Sequence, residues 1–282
     1  MRGRPLPQRD AFEEPEFPGG RYTLVATDLD GTLLRSDLTI SARTRCALAT
    51  IPEGAVHIVV TGRPASGCLA FLAAIGYRGV AVCGQGGQLY DADSHRLLWS
   101  TGVDLDVARR AVGLLAAELP GLLVAVGTAG LHGGVLSAPG FSKRGEKSHQ
   151  LTTDSERLWA APIEKVMIRH PGVDDETLAA GAREACGSDL TVTHGDAGTI
   201  ELLPPGVTKG SGLARAADYL GLTASRAVAF GDMPNDIPMF AWAGHSVAVA
   251  NAHASVLAAA GEICASNDED GVAQVIERLY RR

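Results

Sequence analysis

A strand–helix alternation that stops after residue 83 and resumes near residue 210 leaves few folds open to this chain. Apolar runs at Tyr22–Thr27, Val56–Val60 and Val80–Cys83 are separated by helical stretches at Ser41–Thr50 and Ala65–Ile75, a βαβαβ rhythm typical of parallel sheets. The rhythm returns with helix at Gly210–Leu220, strand at Ala227–Phe230, helix at Ile237–Ala243, strand at Ser246–Val249 and a last helix over Val272–Arg281. Two halves of one doubly wound, Rossmann-like α/β sheet are implied. The residues between them read differently. Gln88–Tyr90 and Leu97–Ser100 flank a turn-rich segment, and helix Leu105–Leu119 precedes strands near Leu122–Val126 and Leu131–Leu136. Strand Lys165–Arg169, helix Glu176–Cys186 and strands near Leu190–His194 and Thr199–Leu203 follow. This mixture predicts an inserted α/β unit with an antiparallel sheet. The expected division is a flexible tail over residues 1–20, a split core over 21–84 and 203–282, and an insert over 85–202.

With 282 residues, 46% of them apolar, the chain can bury a large core. Its net charge of −7 and lack of a basic stripe argue against nucleic acid as a partner. No apolar run approaches the length of a membrane span, and no secretory signal precedes the first strand. Cys46, Cys68, Cys83, Cys186 and Cys264 are odd in number, widely spaced and without a Cys-x-x-Cys pair. The expectation is a cytoplasmic protein with reduced thiols and no membrane partner; the oligomeric state is left open.

The first strand runs into Thr27-Asp28-Leu29-Asp30-Gly31-Thr32. Extended residues two apart face the same side, so Asp28 and Asp30 are both expected at the carboxyl edge of the sheet, where α/β proteins place ligands. Paired carboxylates attract a hard cation such as Mg²⁺. They can also divide the work of phosphoryl transfer, one as nucleophile and the other as proton donor and later base. An isolated Asp-x-Asp-Gly is equally an acidic turn that ends a strand.

Asp28-Leu29-Asp30-Gly31-Thr32 resembles the first motif of the haloacid dehalogenase superfamily of phosphatases, and three further matches follow in order. Thr61-Gly62-Arg63 closes the second strand, Thr208-Lys209-Gly210 opens a helix, and Gly231-Asp232-Met233-Pro234-Asn235-Asp236 follows an apolar strand. Each alone is an ordinary loop or helix cap. The segments Val249–Ala252 and Ser266–Val272 resemble the close of the Cof-type branch, whose large α/β cap is inserted between the second and third motifs. The resemblance implies a Mg²⁺-dependent phosphomonoesterase acting on a small phosphorylated metabolite through an aspartyl-phosphate. Asp28 would be the nucleophile and Asp30 the acid and base. Thr61, Gly62, Lys209 and Asn235 would hold the phosphoryl group; Asp28, Asp30 and Asp232 would bind the metal; Asp236 would support the lysine and the metal shell. Cof-type members usually read Asn-Gly-Ala at the cap entry, whereas this chain reads Gln85-Gly86-Gly87.

Asp30 and Asp232 argue against a dehalogenase, which needs neither. A phosphomutase using the same aspartyl-phosphate and a non-catalytic or receiver-like phosphate binder remain alternatives. Leu89 takes the last glycine position of a dinucleotide fingerprint in Gly84–Leu89, which excludes that motif. Lys143, Arg144, Lys147 and His149 read as a solvated basic loop. His132, His170 and His194 lack metal-ligand spacing, and Trp99 and Trp159 read as packing residues more readily than as a specificity surface.

Overall fold

A computed structural model describes residues 22–142, 149–196 and 198–280. The expected tail over 1–20 and the basic Lys143, Arg144 and Lys147 lie outside them. In chain order the first elements are β1 (Leu24–Thr27), α1 (Ala42–Ala49), β2 (Val56–Val59), α2 (Ala65–Ala74), β3 (Val80–Cys83), β4 (Gln88–Asp91) and β5 (Arg96–Ser100). There follow α3 (Leu105–Glu118), β6 (Leu123–Thr128), β7 (Val135–Ser137), β8 (His149–Leu151), β9 (Ile163–Arg169), α4 (Asp175–Cys186), β10 (Thr191–His194) and β11 (Ile200–Leu203). The chain closes with α5 (Lys209–Leu220), β12 (Ala227–Gly231), α6 (Ile237–Trp242), β13 (His245–Val249), α7 (Ala254–Ala259), β14 (Glu262–Cys264) and α8 (Gly271–Tyr280).

A parallel sheet in the order β14-β13-β12-β1-β2 joins the two ends of the sequence. Its central strands are apolar on both faces because helices cover both: Leu24, Val25, Ala26, Val228, Ala229 and Phe230 are fully buried. Each large side chain buried this way contributes about 2 kcal/mol relative to exposure. A six-stranded sheet in the order β10-β11-β9-β6-β7-β8 forms the cap, antiparallel except for the pairing of β7 with β8. Its apolar face packs on α3 and α4 through Leu115, Val126, Ile168, Leu178 and Ile200.

The structure departs from the sequence reading in three places. Strands β4 and β5 pair with β3, and Leu89, Tyr90 and Trp99 pack with the core cluster. The change of packing therefore falls near Val103, which joins the cap cluster, and not at residue 85. The strand expected over Leu131–Leu136 begins at Val135, because a turn closed by Gly133 N–H to Gly130 C=O (2.9 Å) occupies the residues before it. Short elements were also missed: β8 starts at His149, within the expected loop, and α7 and β14 are too brief to show a period. Among the described residues, no helix is long and apolar enough to cross a membrane.

Candidate active site

Thr27 is the last residue of β1, and the Asp28 N–H continues the ladder by donating to Phe230 C=O at 2.9 Å. The Asp28 side chain therefore sits where β1 and β12 end side by side. The chain then turns through Gly31, whose φ of 73° suits a residue without a Cβ, and closes with Leu34 N–H to Leu29 C=O at 2.8 Å. Helix α5 presents Lys209 as its first residue. Thr208 and Ser211 cap that end reciprocally. A close backbone approach seats it: Gly86, at φ 102°, lies so near the Thr208 carbonyl that a Cβ would collide with it.

Lys209, only 2% exposed, lies between two carboxylates, with Nζ at 2.8 Å from Asp28 Oδ1 and 2.6 Å from Asp236 Oδ1. Asp236 is fixed in turn, its Oδ2 accepting from the N–H groups of Asp232 (2.9 Å) and Met233 (3.0 Å). Thr32 Oγ1 donates to Asp232 Oδ1 at 2.8 Å. One carboxylate oxygen from each of Asp28, Asp232 and Asp236 lies within 4.8 Å of the others, and all three residues are buried.

Three buried carboxylates facing one ammonium leave an excess of negative charge where water cannot screen it. Burial, reinforced by Asp236 and Asp232, pushes the Asp28 carboxyl well above its ordinary range against the opposing pull of Lys209. Burial and then Asp236 raise Asp232 to about 6. For Lys209, burial acts downward, but Asp236 and Asp28 outweigh it and the ammonium is held raised. An all-oxygen, anionic and buried donor set fits a hard divalent cation such as Mg²⁺.

Asp28, Asp30, Thr61, Gly62, Lys209 and Asn235 all line one cavity of about 600 Å³ between core and cap, while Asp232 and Asp236 stand behind Asp28 and Lys209. The Asp30 carboxylate does not join the acidic cluster expected of it as a metal ligand. It takes a two-pronged pair from Arg63, Nε to Oδ2 and Nη2 to Oδ1, both at 2.6 Å. Asp30 still lines the cavity with Asp28 as expected, but it stands in the turn after Thr27 and not in the strand, which carries its carboxylate to Arg63 and away from the acidic cluster. Arg63 also stacks on Phe71 at 4.5 Å. Thr61 Oγ1 accepts from the Arg63 N–H at 3.1 Å, which leaves its hydroxyl proton for the cavity.

The sequence reading overlooked three residues here. Arg63 adjoins the second motif, and its signal was a cation next to a phosphate-type loop. Lys165 and Glu201 come from facing strands of the cap and carry no local motif. They form a buried ion pair at the cavity wall. Gln85, singled out as a departure, is 2% exposed at φ 59° and bonds to both Glu201 and Asn235. Trp99 stacks under Arg215 at 4.1 Å and Trp159 packs on the cap cluster. His170 meets Pro120 C=O and His194 meets Glu176, away from the acidic cluster.

Comparison with known proteins adds an independent line. A family model described as haloacid dehalogenase-like hydrolase matches residues 25–276. An HMP-PP phosphatase of Serratia proteamaculans is 29% identical, over 82% of this chain and 85% of its own length. A 5-amino-6-(5-phospho-D-ribitylamino)uracil phosphatase of Bacillus subtilis is 27% identical, over 90% of this chain and 97% of its own. Among solved structures, a haloacid dehalogenase-like hydrolase from Bacteroides thetaiotaomicron superposes with a TM-score of 0.74 at 26% identity, covering 92% of this chain and 99% of that one.

Proposed function

The chain belongs to the haloacid dehalogenase-like hydrolases, and from that premise we propose that it is a Mg²⁺-dependent phosphatase of small phosphorylated metabolites working through a phosphoryl group carried on Asp28. The observation that carries this reading is the different setting of two carboxylates in one cavity: Asp28 buried against Lys209, and Asp30 held apart by Arg63. Asp28 attacks phosphorus and the ester P–O bond breaks, while Asp30, having taken up a proton and turned from its pair with Arg63 as the substrate enters, gives that proton to the leaving oxygen. Water then attacks the aspartyl-phosphate, Asp30 takes a proton from it, and inorganic phosphate leaves with Asp28 restored. Lys209, Thr61, Gly62 and Asn235 offer donors to the phosphoryl oxygens as charge develops on them. Asp236 keeps Lys209 aimed at Asp28.

Asp28 and Asp232 are the side chains that would hold Mg²⁺, with Asp236 beside them, and the bound cation would supply positive charge against the nucleophile and the transferring group. A cavity of about 600 Å³ suits a metabolite and not a polymer. The two named relatives act on phosphorylated metabolites of that size class. Five cysteines left as thiols agree with a cytoplasmic setting. The test is Asp28→Asn assayed on p-nitrophenyl phosphate with and without EDTA. Turnover by the wild type should require the metal, and the variant should show none while its thermal unfolding remains cooperative. Near wild-type turnover by the variant would remove Asp28 from the mechanism.

A further inference from the structure

A continuous arc of polar contacts crosses the cavity from the second motif to the fourth by way of the cap. The Gly62 carbonyl accepts from Lys165 Nζ at 3.2 Å, and Lys165 pairs with Glu201. Glu201 Oε2 accepts from Gln85 Nε2 at 2.9 Å, and Gln85 Oε1 accepts from Asn235 Nδ2 at 3.0 Å. Lys165 and Glu201 are cap residues, with side chains only 10% and 6% exposed, while Gln85 stands on the core side in the turn between β3 and β4. The two ends of the arc are the groups proposed above to hold the phosphoryl oxygens.

We propose that Lys165, Glu201 and Gln85 are positioning residues that set the Gly62 peptide and the Asn235 amide for phosphoryl transfer, so that the phosphate site is complete only when the cap is seated. The inference rests on the proposed aspartyl-phosphate chemistry. Lys165 restrains the loop after β2 by the Gly62 carbonyl and leaves the Gly62 N–H on offer to a ligand, whereas the N–H groups of Thr61 and Arg63 are already bound to Val82 C=O and Thr61 Oγ1. Gln85 uses one amide proton of Asn235, leaving the second proton and a buried Oδ1 that has no partner. Gln85 reaches both partners because its amide lies at the end of a three-bond stem on a backbone at positive φ. Glu201 fixes which way that amide faces, since only the NH₂ end can donate to a carboxylate.

The arc differs from a surface that reads the leaving group, and oxygen exchange separates the two. Exchange of ¹⁸O between water and inorganic phosphate uses the same attack by Asp28, with water as the leaving group, so no organic leaving group is present to be recognised. The experiment measures this exchange and p-nitrophenyl phosphate hydrolysis for the wild type, Lys165→Met, Gln85→Met and Ser66→Ala, with Mg²⁺ present and thermal midpoints recorded. Ser66 Oγ joins core to cap by donating to Gly133 C=O at 2.8 Å without touching the arc, and so reports general loosening of the cap. The expected result is a fall of about tenfold or more in the exchange kcat for both methionine variants, with a smaller change in the KM for phosphate and a near wild-type rate for Ser66→Ala. Exchange at wild-type rates in either methionine variant overturns the proposal, as does an equal loss in Ser66→Ala. A wild type that neither exchanges nor hydrolyses overturns the aspartyl-phosphate reading itself, and the arc's role with it. Because Lys165 and Gln85 lie at separate points of the arc, a folding failure in one variant leaves the other to decide.

Discussion

Replacing Asp232 with asparagine should make the metal-free protein more stable while removing its response to Mg²⁺. Asp232 titrates at about 6 in the folded chain against an ordinary 3.8, because it is buried and faces Asp236. The sign follows from where the proton is held. Below the unfolded value both states carry the protonated acid and no penalty exists. As the pH rises through the folded value the buried charge forms, and the penalty is complete above about 7. A shift from 3.8 to about 6 corresponds to a penalty of about 3 kcal/mol. Asparagine keeps the Oδ1 that accepts from Thr32 and carries no charge. In EDTA at pH 8 the variant should therefore gain up to about 3 kcal/mol, or roughly 6 °C in thermal midpoint for a chain of this size. Near pH 4 the gain should shrink toward zero. Saturating Mg²⁺, at about a hundredfold its dissociation constant, should stabilise the wild type by about 2.7 kcal/mol and the variant by much less. Urea unfolding at the two pH values, with EDTA and with Mg²⁺, supplies all four comparisons. A difference between wild type and variant that does not change with pH, or equal stabilisation of both by Mg²⁺, would refute the account of a charge-strained acidic site.

Two further substitutions probe features that the sequence alone left unread. Arg63→Leu releases Asp30 from its two-pronged pair, so kcat should fall by about 10²-fold on alkyl phosphates, whose leaving oxygen needs a proton, and far less on p-nitrophenyl phosphate. Equal losses on the two substrates would show that Arg63 does not act through Asp30. Gly86→Ala drives a Cβ into the Thr208 carbonyl from a backbone at φ 102°, and urea unfolding should register a loss of about 3 kcal/mol or more. A loss below 1 kcal/mol would mean that α5 is not seated by that contact.

The parallel sheet was legible because its strands are apolar on both faces and its helices are long enough to show a period, as in Ala227–Gly231, which runs one residue past its expected limit. Asp28, Thr61, Gly62, Lys209 and Asn235 were legible because they sit at the ends of such elements, and the structure brings all five to one cavity. Asp30 reaches the same cavity, but it stands beyond the end of the strand, where the turn at Gly31 sends its carboxylate to Arg63 and away from the acidic cluster it was expected to join as a metal ligand. Lys165 and Glu201 were invisible for a different reason. Glu201 is the single polar residue of its strand and Lys165 one of three charged residues in its own, and each has its partner 36 residues away or across the cavity, so the pairing exists only in three dimensions. The hairpin of β4 and β5 was assigned to the insert because hairpins dominate there, but tertiary packing against β3 decides where it belongs.

The pairing of β1 with β12 has a consequence for how the chain is made. Leu24 and Ala227 lie opposite one another in the sheet, so β1 leaves the ribosome about 200 residues before the strand that completes its ladder. During that interval it has β2 on one side and an open edge on the other. The cap suffers no such wait, because its strands and helices, from Leu105 to Leu203, are contiguous in the chain and can pair as they emerge. The cap can thus be folded before the catalytic edge exists, and the last third of the chain closes the sheet beneath a unit already in place. A nascent-chain release that ends before Gly231 yields a finished cap on an unfinished enzyme.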